Sequence, residues 1–458
     1  MSQQMPLHRK IGYAFGDYGC NLYWQSISFF LLFFYTDIVG LPVVTAGLIY
    51  MVASIFDGII DPLAGAAMDR VNTRWGRYRP WLVVGALPLA GSFALLYWRP
   101  PLEGGTLVAV LLAVHLLFRI CYTLIAVPLA SLSARLTSRS SERTTLASLR
   151  MLFGASATAT IGFATQPLAA ALGGGNAATG LFLVAILIGT LATIAFVVSF
   201  ASTREPPIEH PAPASGARAG YVGNVLRNRA FLTLAAGLLC ATISTTALNK
   251  SLLYYFKYVV QDEASARYAL SSSALIALAL APIWAILGRR IGKRRMWLTA
   301  IAMGLTGLSI FLLTRPTSAI GATAFFMWMQ VVTIGVQVGY WGTLPDTVEY
   351  GQWRGGLRQE SFLFGLFMFF QKAGFGLAAA LYGLLLSWIG YDASAPMSPA
   401  TISGIGFVMA GLSAAGLIGS GIATLLSPLR MGVHERIVTE LAEAEGKAMR
   451  DDGNALPR

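Results

Sequence analysis

The chain has 458 residues, 55% of them hydrophobic and 12% charged, with 33 Lys and Arg against 21 Asp and Glu. A soluble protein carries about 25% charged residues. Half that charge, with a mean hydropathy of +0.63, excludes a soluble enzyme, a disordered chain and a disulfide-stapled secreted domain. Cys20, Cys121 and Cys240 all sit inside apolar runs and read as buried small hydrophobes, with no redox or metal site implied.

Apolar segments bounded by charges or turn residues lie near 11–36, 43–66, 80–98, 105–133, 148–172, 179–201, 230–259, 267–288, 296–314, 319–343, 361–389 and 400–428. Runs of 18 or more apolar residues are membrane-spanning helices. Lipid satisfies no open backbone groups and no barrel alternation is present, so the expected fold is all-α and integral to the membrane, with twelve transmembrane helices. The first segment follows His8, Arg9 and Lys10 and is too long for a signal-peptide core, so it reads as a retained span.

The segments facing one side hold 25 of the 33 Lys and Arg, whereas the opposite loops hold only Arg99, Arg267 and Arg315. By the positive-inside rule the basic side is cytoplasmic, which places both termini inside, in a bacterial inner membrane. The excess charge is thus a topology signal, and nucleic acid is not an expected partner. The connection 202–229, rich in Pro, Ala, Ser and Gly, reads as a flexible linker. It divides an N-terminal six-helix bundle (1–201) from a C-terminal one (230–428). The tail 429–458 places Ile437, Leu441 and Ala444 on one helical face, but reads as solvated.

The two halves repeat. Pro62–Trp81 and Pro282–Trp297 each run apolar, then Gly, basic cluster, Trp. The segment from Val127 likewise resembles that from Leu344, at a similar offset. Such repeats suit two bundles rocking about a midplane site, and channels use them too.

An ionised side chain at mid-bilayer costs roughly 2.5–3.5 kcal/mol on insertion scales. Each one inside a span is therefore a site candidate, the alternative being buried mutual neutralisation. These are Asp17, Asp57, Asp61, Arg119, Arg150, Lys250, Lys257 and Lys372. Lys257, near a span end, reads as snorkelling. Asp57 and Asp61, at i and i+4, share one helix face. They form either a hard-oxygen cation site or a carboxyl pair whose proton affinity is raised by repulsion. Polar stripes run through Asp17, Asn21 and Gln25, through His115, Arg119 and Tyr122, and through Thr242, Thr245, Thr246, Asn249 and Lys250. They are either interhelical glue or the lining of a hydrophilic cavity, to which Gln337 of the tenth segment is assigned. FLFGLFMFFQKAG reads as lipid-facing and packing surface apart from Gln371 and Lys372.

The motifs GYAFGDYGCN, DGIIDPLAG, TRWGRYRPW, PDTVEYGQWR with RQES, and QKAGFG together resemble the glycoside–pentoside–hexuronide:cation symporters of the major facilitator superfamily, over nearly the whole chain. That resemblance implies two pseudo-symmetric six-helix bundles, symport of a sugar with H+ or Na+, a functional monomer, and no cofactor. It implies Asp57, Asp61 and Thr123 as cation ligands, and Arg150 and Lys372 as basic residues lining the sugar cavity. It also implies a cytoplasmic gate of Arg70, Arg74, Arg77, Glu142, Arg143, Asp346, Glu349 and Arg358, for which ordinary positive-inside charge is the alternative.

The departures are informative. The family's first-helix sugar carboxylate falls at Asn21, with Asp17 one turn earlier. Its fourth-helix carboxylate falls at Ala126 and its aromatic platform at Ala130, and Arg119 stands where a small residue is expected. Lost acids and a gained base favour an anionic sugar, a uronide or sulfonated glycoside, over a neutral one. Ile60 stands where sodium-using relatives have Asn, which favours a proton. The rivals are a lysolipid carrier of the same superfold, a neutral-glycoside sodium symporter, and a membrane enzyme or sensor. For the last, no metal set, nucleophile triad or P-loop is present, and no channel filter either.

Overall fold

The structure is a computed structural model that describes residues 5–68, 73–136, 140–205, 221–355, 360–393 and 395–430. Beyond them it describes 432–434, 436, 437, 439–441 and 443. Fourteen helices follow one another in the described residues: α1 Leu7–Ser26, α2 Val43–Met68, α3 Arg79–Val84, α4 Ala86–Leu96, α5 Gly104–Leu136, α6 Ser140–Leu172, α7 Ala177–Ser202, α8 Tyr221–Arg227, α9 Arg229–Tyr254, α10 Ala266–Ile291, α11 Lys293–Thr314, α12 Ala319–Gly355, α13 Glu360–Trp388 and α14 Pro399–Leu426. Each of the twelve apolar segments is helical. The third is broken at Gly85 into α3 and α4, and α1 and α9 continue, away from the end that holds the termini, as π-helical turns, Ile27–Leu31 with Phe34–Ile38 and Tyr255–Val260.

Nine helices among the described residues are long and apolar enough to cross a membrane. The other three long helices, α1, α6 and α10, carry the charged and hydroxyl-bearing stripes that lower their hydropathy. They pack on one another, α6 lying between α1 and α10, so their polar faces are spent inside protein. Pro128 and Pro345 lie inside α5 and α12, at matching places of the repeat, where neighbouring helices satisfy the freed backbone groups.

In the first half, α1 packs on α6 and α7, and α2 on α5. In the second, α9 packs on α12, α13 and α14. The halves meet along α2 with α13 and α6 with α10. Near the end remote from the termini, α2 and α13 touch backbone to backbone. A Cβ at Gly47 would lie 2.7 Å from the Ala379 carbonyl oxygen, and one at Gly383 2.6 Å from that of Val43. Only glycine permits this approach, and it closes the remote end.

The tail departs from the solvated reading. Leu429 and Ile437 are buried against Ala230 and Tyr350, and Trp353 Nε1 donates to Glu440 at 2.8 Å. The amphipathic face has a groove of its own half to fill.

Candidate functional site

The i, i+4 spacing of Asp57 and Asp61 aims both carboxylates from α2 at the junction with α5 and α13. Thr123 of α5 donates to both, at 3.3 Å to Asp57 and 2.8 Å to Asp61. Lys372 of α13 lies 2.8 Å from Asp57 and also pairs directly with Asp61. Arg119, one turn before Thr123, donates to Asp57 at 3.3 Å. Two acids from one half thus meet two bases, one from each half. Asp57 is fully buried, while the Asp61 side chain is 29% exposed. Asp61 is therefore the accessible member, and Asp57 the one that its partners must neutralise.

Arg150 of α6 holds Asp17 through Nε at 3.0 Å and Nη2 at 2.8 Å, and Asn21 donates to the other Asp17 oxygen at 3.2 Å. The first-helix stripe and the sixth-segment arginine are one unit. Arg119, Arg150 and Lys372 each have an acid partner, so the pairing weighed as an alternative for the cavity bases is what the structure contains. Gln25 and Asn249 are half-buried, and Gln337 is exposed on α12 with no hydrogen-bond partner among the described residues.

Lys250 is buried on α9. It donates to the Ser28 carbonyl at 3.2 Å and lies 3.8 Å from the Tyr50 ring centroid. Arg119 faces the same ring at 5.9 Å.

Three aromatic side chains that sequence reasoning passed over or left unconnected meet beside this cluster. Trp24 lies 6.2 Å from Tyr122 and 5.4 Å from Phe375, with the Arg119 guanidinium 5.7 Å above its ring. The i, i+7 relation of Trp24 to Asp17 was the available signal. The apolar stretch of α13 is both packing and exposed surface, as expected: Phe367 is fully buried, against Tyr340 and Trp341, while Phe362 and Met368 are exposed.

The remote end has a second charged cluster. Asp37, fully buried, accepts from Thr36 at 2.7 Å, Lys257 at 2.7 Å and Tyr391 at 2.7 Å, and also from Tyr258. Lys257 therefore does more than snorkel: it pairs across the two halves with an acid at the end of the first span. Tyr254 closes the group through Thr36 at 2.8 Å.

At the termini end, Glu205 accepts the backbone N–H groups of Arg77, Tyr78 and Arg79 at 2.9, 2.7 and 2.8 Å. Gly76, with φ +109°, makes room: a Cβ there would lie 2.7 Å from the Glu205 carboxyl carbon. The Arg74 guanidinium stacks on Trp75 at 5.1 Å. Asp346 is held by Lys293 at 2.8 Å, and His434 of the tail pairs with Glu349 and lies 3.7 Å from Asp346. These two gate acids are thus engaged within their own half and its tail. Arg70 and Arg358 lie outside the described residues, as do the side chains of Glu142 and Arg143.

A family model described as MFS/sugar transport protein matches residues 12–430. The isoprimeverose transporter of Lactiplantibacillus pentosus is 29% identical over 415 residues, covering 88% of this chain and 84% of that protein. The glucuronide carrier protein homolog of Escherichia coli (strain K12) is 29% identical over 410 residues, covering 88% and 89%. Among solved structures, a bacterial homolog of the human lysosomal transporter Spinster, inward-facing and unoccupied, superposes with a TM-score of 0.68 at 12% identity, covering 96% of this chain and 99% of that one. At that identity the likeness concerns the fold. The relatives and structural neighbours are transporters, not enzymes. The chain belongs to the MFS/sugar transport protein family, the superfamily its intramembrane charges and paired halves resemble.

Proposed function

We propose that the chain is a cation-coupled symporter of a sugar or glycoside, working by alternating access in a bacterial inner membrane with both termini cytoplasmic. One observation carries the reading: Lys372 of the second half occupies the Asp57–Asp61 pair of the first. A coupling cation and that ammonium compete for the same carboxylates. Without the cation, Lys372 ties α13 to α2. With it, the pair is neutralised from within one half and α13 is released. Coupling follows because the same event changes the interface between the rocking halves.

A proton fits this pair better than sodium. Sodium needs several oxygen ligands at once, and Ile60 supplies none where an Asn would. A proton needs one carboxylate, and Asp61 is the half-exposed one. Trp24, Tyr122 and Phe375 offer ring faces for the apolar side of a sugar, while Asn21, Gln25 and Asn249 offer hydrogen bonds to its hydroxyls. The relatives named for isoprimeverose and glucuronide support a glycoside. The functional unit in this reading is a monomer.

Substrate-induced proton movement in energised vesicles tests this. Medium alkalinisation on adding a glycoside, lost in Asp61→Asn, is the expected result. Uptake stimulated by sodium at constant pH would replace the proton, and uptake of a lysolipid with silence for every glycoside would overturn the substrate class.

A further inference from the structure

We infer that Lys250 is the residue that selects an acidic sugar, its ammonium serving as counter-charge to a carboxylate or sulfonate on the transported glycoside. The inference rests on the symport reading above and names the chemistry of its substrate.

The argument is a charge balance. Among the described residues of the membrane interior, four acids each have a basic partner: Asp17 with Arg150, Asp37 with Lys257, Asp57 with Arg119, and Asp61 with Lys372. Lys250 is the fifth base and has no carboxylate within ion-pair reach. It is also 3% exposed, so water does not replace the missing acid. Its carbonyl bond and the Tyr50 ring, a desolvated cation–π contact, offset only part of the burial cost. An ionised group left unpaired in protein keeps most of its desolvation penalty.

A second, independent observation points to the same place. His115, fully buried, has both ring nitrogens without a hydrogen-bond partner among the described residues, and so has Arg119 Nε. The His115 ring stands edge-on to Tyr50 at a centroid distance of 5.6 Å. Lys250, Arg119 and His115 therefore surround one tyrosine, with hydrogen-bonding capacity unspent and positive charge in excess. Unspent polar capacity in a dry site is costly and fits a ligand group that arrives in another state of the cycle.

The geometry supplies that state. Lys250 lies on α9, whereas Ser28, Tyr50, His115 and Arg119 belong to the first half. The layer is a seam between halves, one step outward from the Asp57 cluster through the shared Arg119. When the remote end opens, the seam parts and the ammonium faces the same space as Trp24 and Tyr122. A monoanionic sugar stacked there would present its acid group to Lys250.

The test is equilibrium exchange in proteoliposomes of the full-length protein, which needs no cation gradient. The probes are methyl β-glucuronide and methyl β-glucoside, differing only in carboxylate against hydroxymethyl. Wild type is expected to favour the glucuronide. K250M and K250Q should lower that preference at least tenfold while glucoside exchange persists, and K250R should restore it. An unchanged ratio in K250M, or a wild type that exchanges only the glucoside, would overturn the inference. Loss of both sugars in K250M and K250Q alike would assign Lys250 to the gate and overturn it too. A wild type that exchanges neither sugar would overturn the inference, whereas the proposed function falls only with silence for every glycoside.

Discussion

Substituting Asp37 should open the end remote from the termini, the outer end in the proposed topology. Asp37 accepts three bonds from the opposite half, from Lys257, Tyr258 and Tyr391, and one from its neighbour Thr36. Bonds to a charged group contribute about 1.5–3 kcal/mol each. In Asp37→Asn one carbonyl oxygen remains to accept, the amide presents donors to donors, and the charge attraction to Lys257 disappears. The cost of breaking a fully buried pair is 3–5 kcal/mol. Here it is smaller, because the Lys257 side chain is 32% exposed and rehydrates. A loss of about 2–3 kcal/mol of outer closure follows, which moves the two-state ratio roughly 30–150-fold toward outward-open. The assay is a pulsed electron-spin distance between labels at Ala177→Cys and Ala264→Cys, which line one outer cavity from opposite halves. Cys20, Cys121 and Cys240 would be replaced by Ala in that background. The long-distance population should become dominant in Asp37→Asn. Lys257→Met, which leaves a fully buried carboxylate without its cation, should shift it at least as far. A distance distribution identical to that of the unsubstituted protein in both variants would refute the clasp.

Four further outcomes follow from the same geometry. Gly383→Ala puts a methyl 2.6 Å from the Val43 carbonyl oxygen, so it should push α2 from α13 and raise the same outward population by at least tenfold in the spin-label assay. Asp57→Asn strands the buried Arg119 without its anion, so a loss of about 3–5 kcal/mol is expected in thermal unfolding. Asp61→Asn, at a half-exposed position, should leave Tm nearly unchanged yet abolish gradient-driven uptake, with substrate exchange retained. Ile437→Asp should release the tail from Tyr350 and Ala230, read as faster proteolysis after Leu426 with the membrane core intact.

The spans were legible because apolar length is a local property: each of the twelve runs is helical whatever it packs against. Asp57, Asp61 and Lys372 were legible as well, since an ion in a span is costly enough to demand a reason. What sequence could not show was pairing. Lys257 looks like a snorkelling end residue until Asp37, 220 positions earlier, is beside it. Asp37 itself sits at the margin of a segment, where an acid attracts no notice. Glu205 lies in a linker and gains its role only from three N–H groups of a distant loop. Arg119 was legible as an extra base that either meets an anionic substrate or pairs internally with an acid such as Asp57, and the structure contains the second arrangement. Lys250 becomes the odd base only once the other pairs are assigned.

The two charged clusters divide the work of one interface. Along α2 and α13 the halves are joined by close glycine contacts outward and by the Lys372 ion pairs at the centre. Glycine packing is short-ranged and indifferent to ions, so it sets a baseline preference for outer closure. In the proposed cycle the Lys372 pairs are conditional, because a proton on Asp61 would remove one of the two charges that hold the ammonium, Asp57 at 2.8 Å being the other. A symporter needs such a conditional bond between its moving parts, placed where the cation can reach it. Asp37 lacks that access, being fully enclosed by its donors, so its clasp adds closure that does not depend on the coupling ion. Mutating the clasp should therefore shift conformation while preserving cation dependence, and mutating Asp61 should remove cation dependence while leaving the clasp in place. If Asp37→Asn abolished proton coupling as Asp61→Asn does, the division between a fixed and a conditional contact would be wrong.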